Sequence, residues 1–248
     1  MQRTLIIQSH RSPLPYPWIS RCLKSVRDWC AMNQYEYRFI GDELFDGVSE
    51  ELMSKTQEQR VVTSDLARLF VLQDALKHGY ERLIWLDADF LIFDPTGFVL
   101  PDEPYAVGRE LWVQLDKQGK IKVFKKVHNA FLMFCKGNSF LDFYADTAER
   151  LLSDNQGGMP PQFIGPKLLT ALHNVARLPV LERAGMLSPM VVKDILQEKG
   201  LALRLFVDNS LQPIAGTNLC TSSCDSNALS VLEMEQLIDS LFERKVSF

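Results

Sequence analysis

Two carboxylates interrupt an apolar run near the middle of this chain: Trp85-Leu86-Asp87-Ala88-Asp89-Phe90-Leu91-Ile92-Phe93, led in by Arg82-Leu83-Ile84. A run of this composition reads as a buried strand of a parallel sheet. Ionised side chains are rarely buried without partners, because removing an ion from water costs several kcal/mol. Side chains alternate along a strand, so Asp87 and Asp89 are expected on one face and Ala88 on the other. Like charges at that spacing repel unless a cation lies between or beside them. The chemistry implied is a divalent-metal site at the C-terminal end of a central strand.

A second constellation lies upstream in Ser64-Asp65-Leu66-Ala67-Arg68-Leu69. Asp65 and Arg68 are three residues apart and share a face of a helix. On a solvated surface such a pair contributes only ~0.3–0.5 kcal/mol. The apolar neighbours Leu66, Leu69, Phe70 and Leu72 instead press this helix against a sheet. A charged pair there, leading into the two aspartates, is read as reaching into a cleft.

The elements that must position these groups follow from the pattern. Thr4-Leu5-Ile6-Ile7 reads as a first strand, with Gln8 and Ser9 at its C-terminal end. Pro13, Pro15 and Pro17 mark a turn into a helix from about 18 to 32, and 35–40 alternates as a second strand. This βαβ opening fits a doubly wound sheet. Residues 61–78 read as a helix closed by Gly79, followed by the strand that carries the aspartates. Beyond Pro95, 111–115 and 121–125 flank Asp116-Lys117-Gln118-Gly119 as a β-hairpin, and 130–135 reads as a further buried strand. Helices are expected at 140–152, 166–174, 188–199 and 229–244, the last with Leu232, Leu237, Ile238 and Leu241 as its core stripe.

The chain has 248 residues, 46% of them hydrophobic and 23% charged, with a formal net charge of −4. This balance fits one large globular α/β domain, or one core plus a small appendage. It gives no global attraction toward nucleic acid or anionic lipid. With no apolar run long enough to span a bilayer and no leader pattern, a cytoplasmic location is expected, with peripheral contact at the cytoplasmic face of a membrane left open. The five cysteines are scattered; Cys220 and Cys224 have no second pair or clustered histidines to complete a zinc site, so reduced thiols are expected.

Ser64-Asp65-Leu66-Ala67-Arg68 followed by Trp85-Leu86-Asp87-Ala88-Asp89 resembles the donor-site signature of nucleotide-sugar glycosyltransferases of the GT-A fold. The likeness is to the group of initiating mannosyltransferases, bacterial capsular-polysaccharide-synthesis enzymes and clostridial glucosylating toxins. Ile6-Ile7-Gln8, 35–42, Asn129-Ala130-Phe131-Leu132-Met133 and Gly165-Pro166-Lys167-Leu168-Leu169-Thr170 resemble further ordered pieces of the same pattern, so the likeness covers about 5–170. The chain departs from it before the central strand, where His78-Gly79-Tyr80 replaces a Gly-Gly pair. It departs again near the C-terminus, where Gly216-Thr217-Asn218-Leu219-Cys220-Thr221-Ser222 has no tryptophan.

The resemblance implies an α/β fold with a mostly parallel, Rossmann-like central sheet flanked by helices, plus a small hairpin and a C-terminal helical region, in a single domain over 1–248 with a nucleotide-sugar-binding half over 1–100 and an acceptor half over 101–248. It implies a glycosyltransferase moving a sugar from a nucleotide-sugar donor, UDP-sugar favoured, to a glycan or lipid-linked acceptor with retention of configuration. Asp87 and Asp89 would hold Mn²⁺ or Mg²⁺, with Asn218 or Ser222 closing the metal site. Asp65 would accept hydrogen bonds from sugar hydroxyls. Arg68 would serve sugar and diphosphate through its planar fork. Gln8, Ser9 and Asn129 would lie near the donor, as ligands do at strand ends of open α/β sheets.

Three other readings remain at this level. A sugar-nucleotide-binding protein of the same fold could lack turnover, a haloacid-dehalogenase-type phosphatase also carries Asp-x-Asp at a strand end, and a sugar-nucleotide pyrophosphorylase would need a glycine in Gln8-Ser9-His10-Arg11-Ser12. His10 and His128 are read as structural rather than catalytic, Trp85 as core packing, and Lys120, Lys122, Lys125 and Lys126 as a solvated basic face that could meet a phosphate-bearing acceptor.

Overall fold

The computed structural model describes residues 3–243. The chain runs β1 (Thr4–Ser9), α1 (Trp18–Asn33), β2 (Glu36–Ile40), α2 (Glu50–Lys55), α3 (Arg60–Lys77), β3 (Arg82–Leu86), β4 (Phe90–Ile92), β5 (Tyr105–Leu115) and β6 (Ile121–Cys135). It continues through α4 (Phe140–Asp154), α5 (Pro166–Ala176), β7 (Val180–Leu181), β8 (Ala184–Met186), α6 (Pro189–Leu196), α7 (Leu201–Asn209), β9 (Gly216–Asn218), α8 (Ser222–Asp225) and α9 (Val231–Phe242).

Six strands form the main sheet in the order β2-β1-β3-β6-β5-β7. The β2-β1, β1-β3 and β5-β7 pairings are parallel, while β6 runs antiparallel to both β3 and β5. Alternation along β3 divides its apolar side chains between two layers. Leu83 and Trp85 pack with Leu66, Leu69 and Leu72 of α3 and with Tyr144 and Ala148 of α4. Ile84 and Leu86 pack with Val26, Trp29 and Cys30 of α1. A sheet covered on both faces explains why β3 reads as continuously apolar.

The expected central strand does not run through the aspartates. β3 ends at Leu86, and Asp87-Ala88-Asp89 forms a turn closed by Phe90 N–H donating to the Asp87 carbonyl at 2.9 Å. β4 then enters a separate three-stranded sheet, ordered β4-β9-β8. Two carboxylates inside a buried ladder would lack solvent and donors; the turn releases them from strand alternation and sends them to different partners. The shared-face expectation for Asp87 and Asp89 is corrected accordingly.

The hairpin is longer than its sequence pattern indicated. Residues 130–135 are the distal part of β6 and not a separate strand, and a register shift lies between Val107 and Gly108. At that irregularity the His128 ring lies over Gly108, where an added Cβ would stand 2.1 Å from the imidazole. In α9, Leu237, Ile238 and Leu241 are buried as expected, but Leu232 is 66% exposed and Met234 takes the fourth core position. The helix starts at Val231 behind a Ser230–Glu233 capping box, which sets its phase with Leu232 outward. α7 and the small sheet lie where the sequence pattern placed no element.

Candidate active site

α3 is an 18-residue helix whose buried face is Val62, Leu66, Leu69 and Leu72, and Asp65 and Arg68 lie on that same face. Burying them requires partners, and the structure supplies partners to Arg68 in full. Its Nη2 lies 3.0 Å from Asp65 Oδ1, and its Nη1 donates to Asp87 Oδ1 at 2.9 Å and to the Asn129 carbonyl at 3.0 Å. Its Nε donates to the Ser64 carbonyl at 3.3 Å, and the guanidinium sits over the Trp85 ring at 5.0 Å. The pair is therefore no surface bridge: the side chains of Arg68 and Asp65 are 7% and 3% exposed. Burial opposes the Arg68 charge, but the carboxylates of Asp87 and Asp65 outweigh it and raise its pKa.

Asp65 is held from a second side by Asn129, whose Nδ2 donates to Oδ1 at 2.7 Å. Its other oxygen, Oδ2, is buried and has no hydrogen-bond partner. Burial, with the Asp87 charge adding to it against Arg68, pushes the Asp65 carboxyl up to about 6. Gly165, just before α5, faces this atom: a Cβ there would lie 2.3 Å from Oδ2 and 2.7 Å from Asn129 Nδ2. A glycine is thus required for the approach of the α5 start to the buried carboxylate.

Asp87 leaves the end of β3 with its side chain 27% exposed. Oδ1 accepts from Arg68 and, at 2.7 Å, from the Trp85 indole N–H. Oδ2 accepts no hydrogen bond among the described residues. The main chain is pinned by Asp87 N–H donating to the Ala130 carbonyl and by Gln8 Nε2 donating to the Asp87 carbonyl, each at 3.0 Å. Gln8 is itself fully buried and accepts from the Tyr37 hydroxyl at 3.2 Å, so its amide supports the turn. Ser9, half-buried at the end of β1, closes the register against Ile40.

Asp89 turns the other way. Its Oδ1 accepts from Asn218 Nδ2 at 2.7 Å, and its Oδ2 from the Thr221 N–H at 2.8 Å and the Thr221 hydroxyl at 2.7 Å. Burial, with the Asp87 charge adding to it, raises the Asp89 pKa against these three donors. Asn218 Oδ1 accepts the Cys220 N–H at 2.8 Å, which fixes the amide with its nitrogen toward Asp89. What Asn218 offers to Asp89 is therefore N–H, not an oxygen ligand, contrary to its expected place in a metal site. Ser222 is exposed at the start of α8, and Thr221 takes the contact expected of it. Sequence reasoning missed Thr221 and the indole N–H of Trp85, because neither residue type nor spacing marks a donor to a distant carboxylate.

The donor set fits a hard cation only in part. Among the described residues no three His, Cys, Asp or Glu side chains converge as a closed metal cage. Asp87 Oδ2 is uncommitted, and Asp89 Oδ1 keeps a second lone pair beyond the Asn218 bond. One or two carboxylates are what a cation shared with substrate phosphates requires, the rest of its shell being phosphate and water. The charge balance agrees, since Asp65 and Asp87 both contact the single guanidinium of Arg68 and the Asp89 charge acts on it from further off. His128 is structural: its Nε2 faces the Ala184 carbonyl at 3.2 Å, its Nδ1 accepts the Ala130 N–H at 3.1 Å, and burial lowers its pKa to about 4. His10 Nδ1 lies 3.0 Å from the neighbouring Arg11 carbonyl.

No protein-family model matches the chain, and no curated protein matches it in sequence. Among solved structures, it is similar to a glycosyltransferase involved in the glycosylation of the major capsid of PBCV-1, with a TM-score of 0.50 at 13% identity over 96% of this chain and 99% of that one. A galactosyltransferase, LgtC, in complex with donor and acceptor sugar analogs gives 0.44 at 13% identity, covering 95% of each chain. The glycosyltransferase GlyE of Streptococcus pneumoniae TIGR4 gives 0.46 at 12% identity over 100% of this chain and 65% of that one. The first of these likenesses, together with the strand order above, establishes the GT-A type of α/β fold.

Proposed function

We propose that this chain is a glycosyltransferase that draws a sugar from a nucleotide-sugar donor, with the diphosphate bound at the turn after β3 through Mn²⁺ or Mg²⁺. The observation that carries the reading is the contact of Asp65 and Asp87 with one guanidinium and the Asp89 charge acting on Asp87's neighbourhood, which leaves a surplus of negative charge and an open oxygen on Asp87. A cation bound there supplies Lewis-acid stabilisation of the departing nucleoside diphosphate.

The residues divide the remaining work. Arg68 and the Trp85 indole hold Asp87 Oδ1, which aims Oδ2 away from the core and fixes it before any ligand arrives. Asn218 and Thr221 hold Asp89 in the same way. Asp65, with its unpartnered Oδ2 beside Gly165, accepts a hydroxyl of the donor sugar, a bond that removes the roughly 1–3 kcal/mol penalty of an unsatisfied buried acceptor. Gln8 keeps the turn at its height above β1, near the expected position of the nucleoside, with Ser9 beside it. UDP as nucleotide, retention of configuration and a glycan or lipid-linked acceptor complete the reading.

A second reading, a protein of the same fold that binds sugar nucleotides without turnover, is favoured by the Asn218 amide, which directs N–H at Asp89. Thermal-shift screening of UDP-, GDP- and CMP-sugars with and without Mn²⁺, followed by donor hydrolysis, separates the two. Metal-dependent stabilisation with hydrolysis supports transfer, and stabilisation alone supports the binder. A response to none of the nucleotides refutes both.

A further inference from the structure

Along the β5–β6 ladder one step on β5, from Val107 to Gly108, spans four on β6, from Leu132 to His128. Residues 129–131 are therefore left out of that ladder, as a bulge in β6. The released backbone turns to the acidic turn instead. The Asn129 carbonyl accepts from Arg68, the Asn129 side-chain amide donates to Asp65, and the Ala130 carbonyl accepts the Asp87 N–H. Asp65, Arg68 and Asp87 are thus held from two consecutive residues that have given up their pairing with β5.

The ring of His128 takes the place of the lost ladder bonds. It is fully buried, and its Nδ1 accepts the Ala130 N–H at 3.1 Å. A main-chain N–H can only donate, so Nδ1 carries no proton and the neutral ring has its hydrogen on Nε2. Nε2 faces the Ala184 carbonyl at 3.2 Å. Ala184 begins β8, which pairs with β9 from Gly216 to Asn218, and Asn218 donates to Asp89. One imidazole thereby joins the strand that holds Asp65, Arg68 and Asp87 to the sheet that holds Asp89. Gly108 is what seats it: a Cβ there would stand 2.1 Å from the ring's Cε1 and 2.7 Å from Nδ1. A ring bonded at both ends could not give way to it.

We propose that His128 is a positioning residue of the acidic site. Its Nδ1 fixes the bulge that presents Asn129 and Ala130, and its Nε2 sets that bulge against the small sheet, so Asp87 and Asp89 keep their spacing before any ligand arrives. Groups held in place beforehand need no reorganisation when a charged ligand binds. The bearing of His128 on sugar transfer rests on the proposed function; its hold on the carboxylates does not.

Amide hydrogen exchange of the full chain by NMR, together with sugar-nucleotide hydrolysis, tests it in His128→Asn, His128→Gln and His128→Leu. An asparagine side chain puts an oxygen where Nδ1 accepts. A glutamine side chain puts its amide near Nε2 and leaves the Ala130 N–H without its acceptor. Exchange at the Ala130 and Asp87 amides should quicken about tenfold in His128→Gln and His128→Leu, as for one lost hydrogen bond, but little in His128→Asn. Leu83 and Ile84, in the middle of β3, should stay as slow as in wild type. Donor hydrolysis should fall about 10–100-fold in His128→Gln and be largely kept in His128→Asn. Should His128→Leu not fold, the other two variants decide. Exchange that quickens equally at Leu83 and Asp87, no difference between His128→Asn and His128→Gln, or undiminished hydrolysis in His128→Gln would overturn the proposal. The expected exchange pattern in a protein that hydrolyses no sugar nucleotide would instead remove the transfer reading and support the positioning role.

Discussion

Arg68 joins four backbone or side-chain partners that come from α3, β6 and the turn after β3. Replacing it by Ala strands two carboxylates in a poorly solvated place, a change that costs about 3–5 kcal/mol. Arg68→Lys is the sharper probe, since it keeps the charge but has no fork to reach Asp65 and Asp87 together. Its melting temperature should fall less than that of Arg68→Ala, while donor KM rises about tenfold or more, as expected for losing a charge-assisted hydrogen bond. Unchanged donor KM in steady-state hydrolysis would reduce Arg68 to a structural tie. Asp65, Arg68 and Asp87 were legible in the sequence because a helix spacing and an apolar context give charged residues no bland home. Thr221 was not legible, since its role comes from contacts that only the folded chain creates.

At the scale of elements, α5 begins where the site needs it to be narrow. Gly165→Ala would put a methyl group 2.3 Å from Asp65 Oδ2, so either α5 or the carboxylate must move. Overpacking of this kind costs about 1–3 kcal/mol. The variant should lose donor hydrolysis by more than its loss of melting temperature explains, and a far-ultraviolet spectrum like the wild type's would show that the helices persist. Full donor hydrolysis would mean that the α5 start has no part in the site. The bounds of helix α3 could be read to within a residue at each end, and so could the start of strand β3 at Arg82. The break at Asp87 was hidden by the apolar residues on both sides, which serve two sheets in succession: Leu86 the large one and Phe90 the small one.

For the molecule as a whole, two buried titratable groups pull its stability in opposite directions over nearly the same pH window. The Asp65 carboxyl moves from 3.8 up to about 6, so between these values the unfolded chain has lost a proton that the folded chain keeps. That group withdraws stability as pH rises through the window. The His128 imidazole moves from 6.5 down to about 4, so there the unfolded chain binds a proton that the folded chain refuses. That group adds stability as pH rises. Asp65→Asn removes one of the groups that oppose the His128 slope, the raised carboxyls of Asp89 and Glu110 keeping their share, so its melting temperature should climb more steeply from pH 4 to 6 than the wild type's; parallel profiles would contradict this assignment. Among the described residues no helix is long and apolar enough to cross a membrane. The α/β class was legible because the first half is a regular βαβ succession, and the GT-A type was expected from the resemblance carried by 64–68 and 85–89. The second half is built from short strands and helices whose placement depends on long-range pairing, as β4 with β9 illustrates.

The central claim is that Asp87 presents a free carboxylate oxygen to a cation carried by a diphosphate. Calorimetric titration of sugar nucleotide into wild type and Asp87→Asn, each with Mn²⁺ and with a chelator, tests it most directly. The account predicts binding that needs the metal in wild type and is lost in Asp87→Asn while the melting temperature stays within a few degrees. Equal affinity with chelator, or undiminished metal-dependent binding in Asp87→Asn, would contradict it.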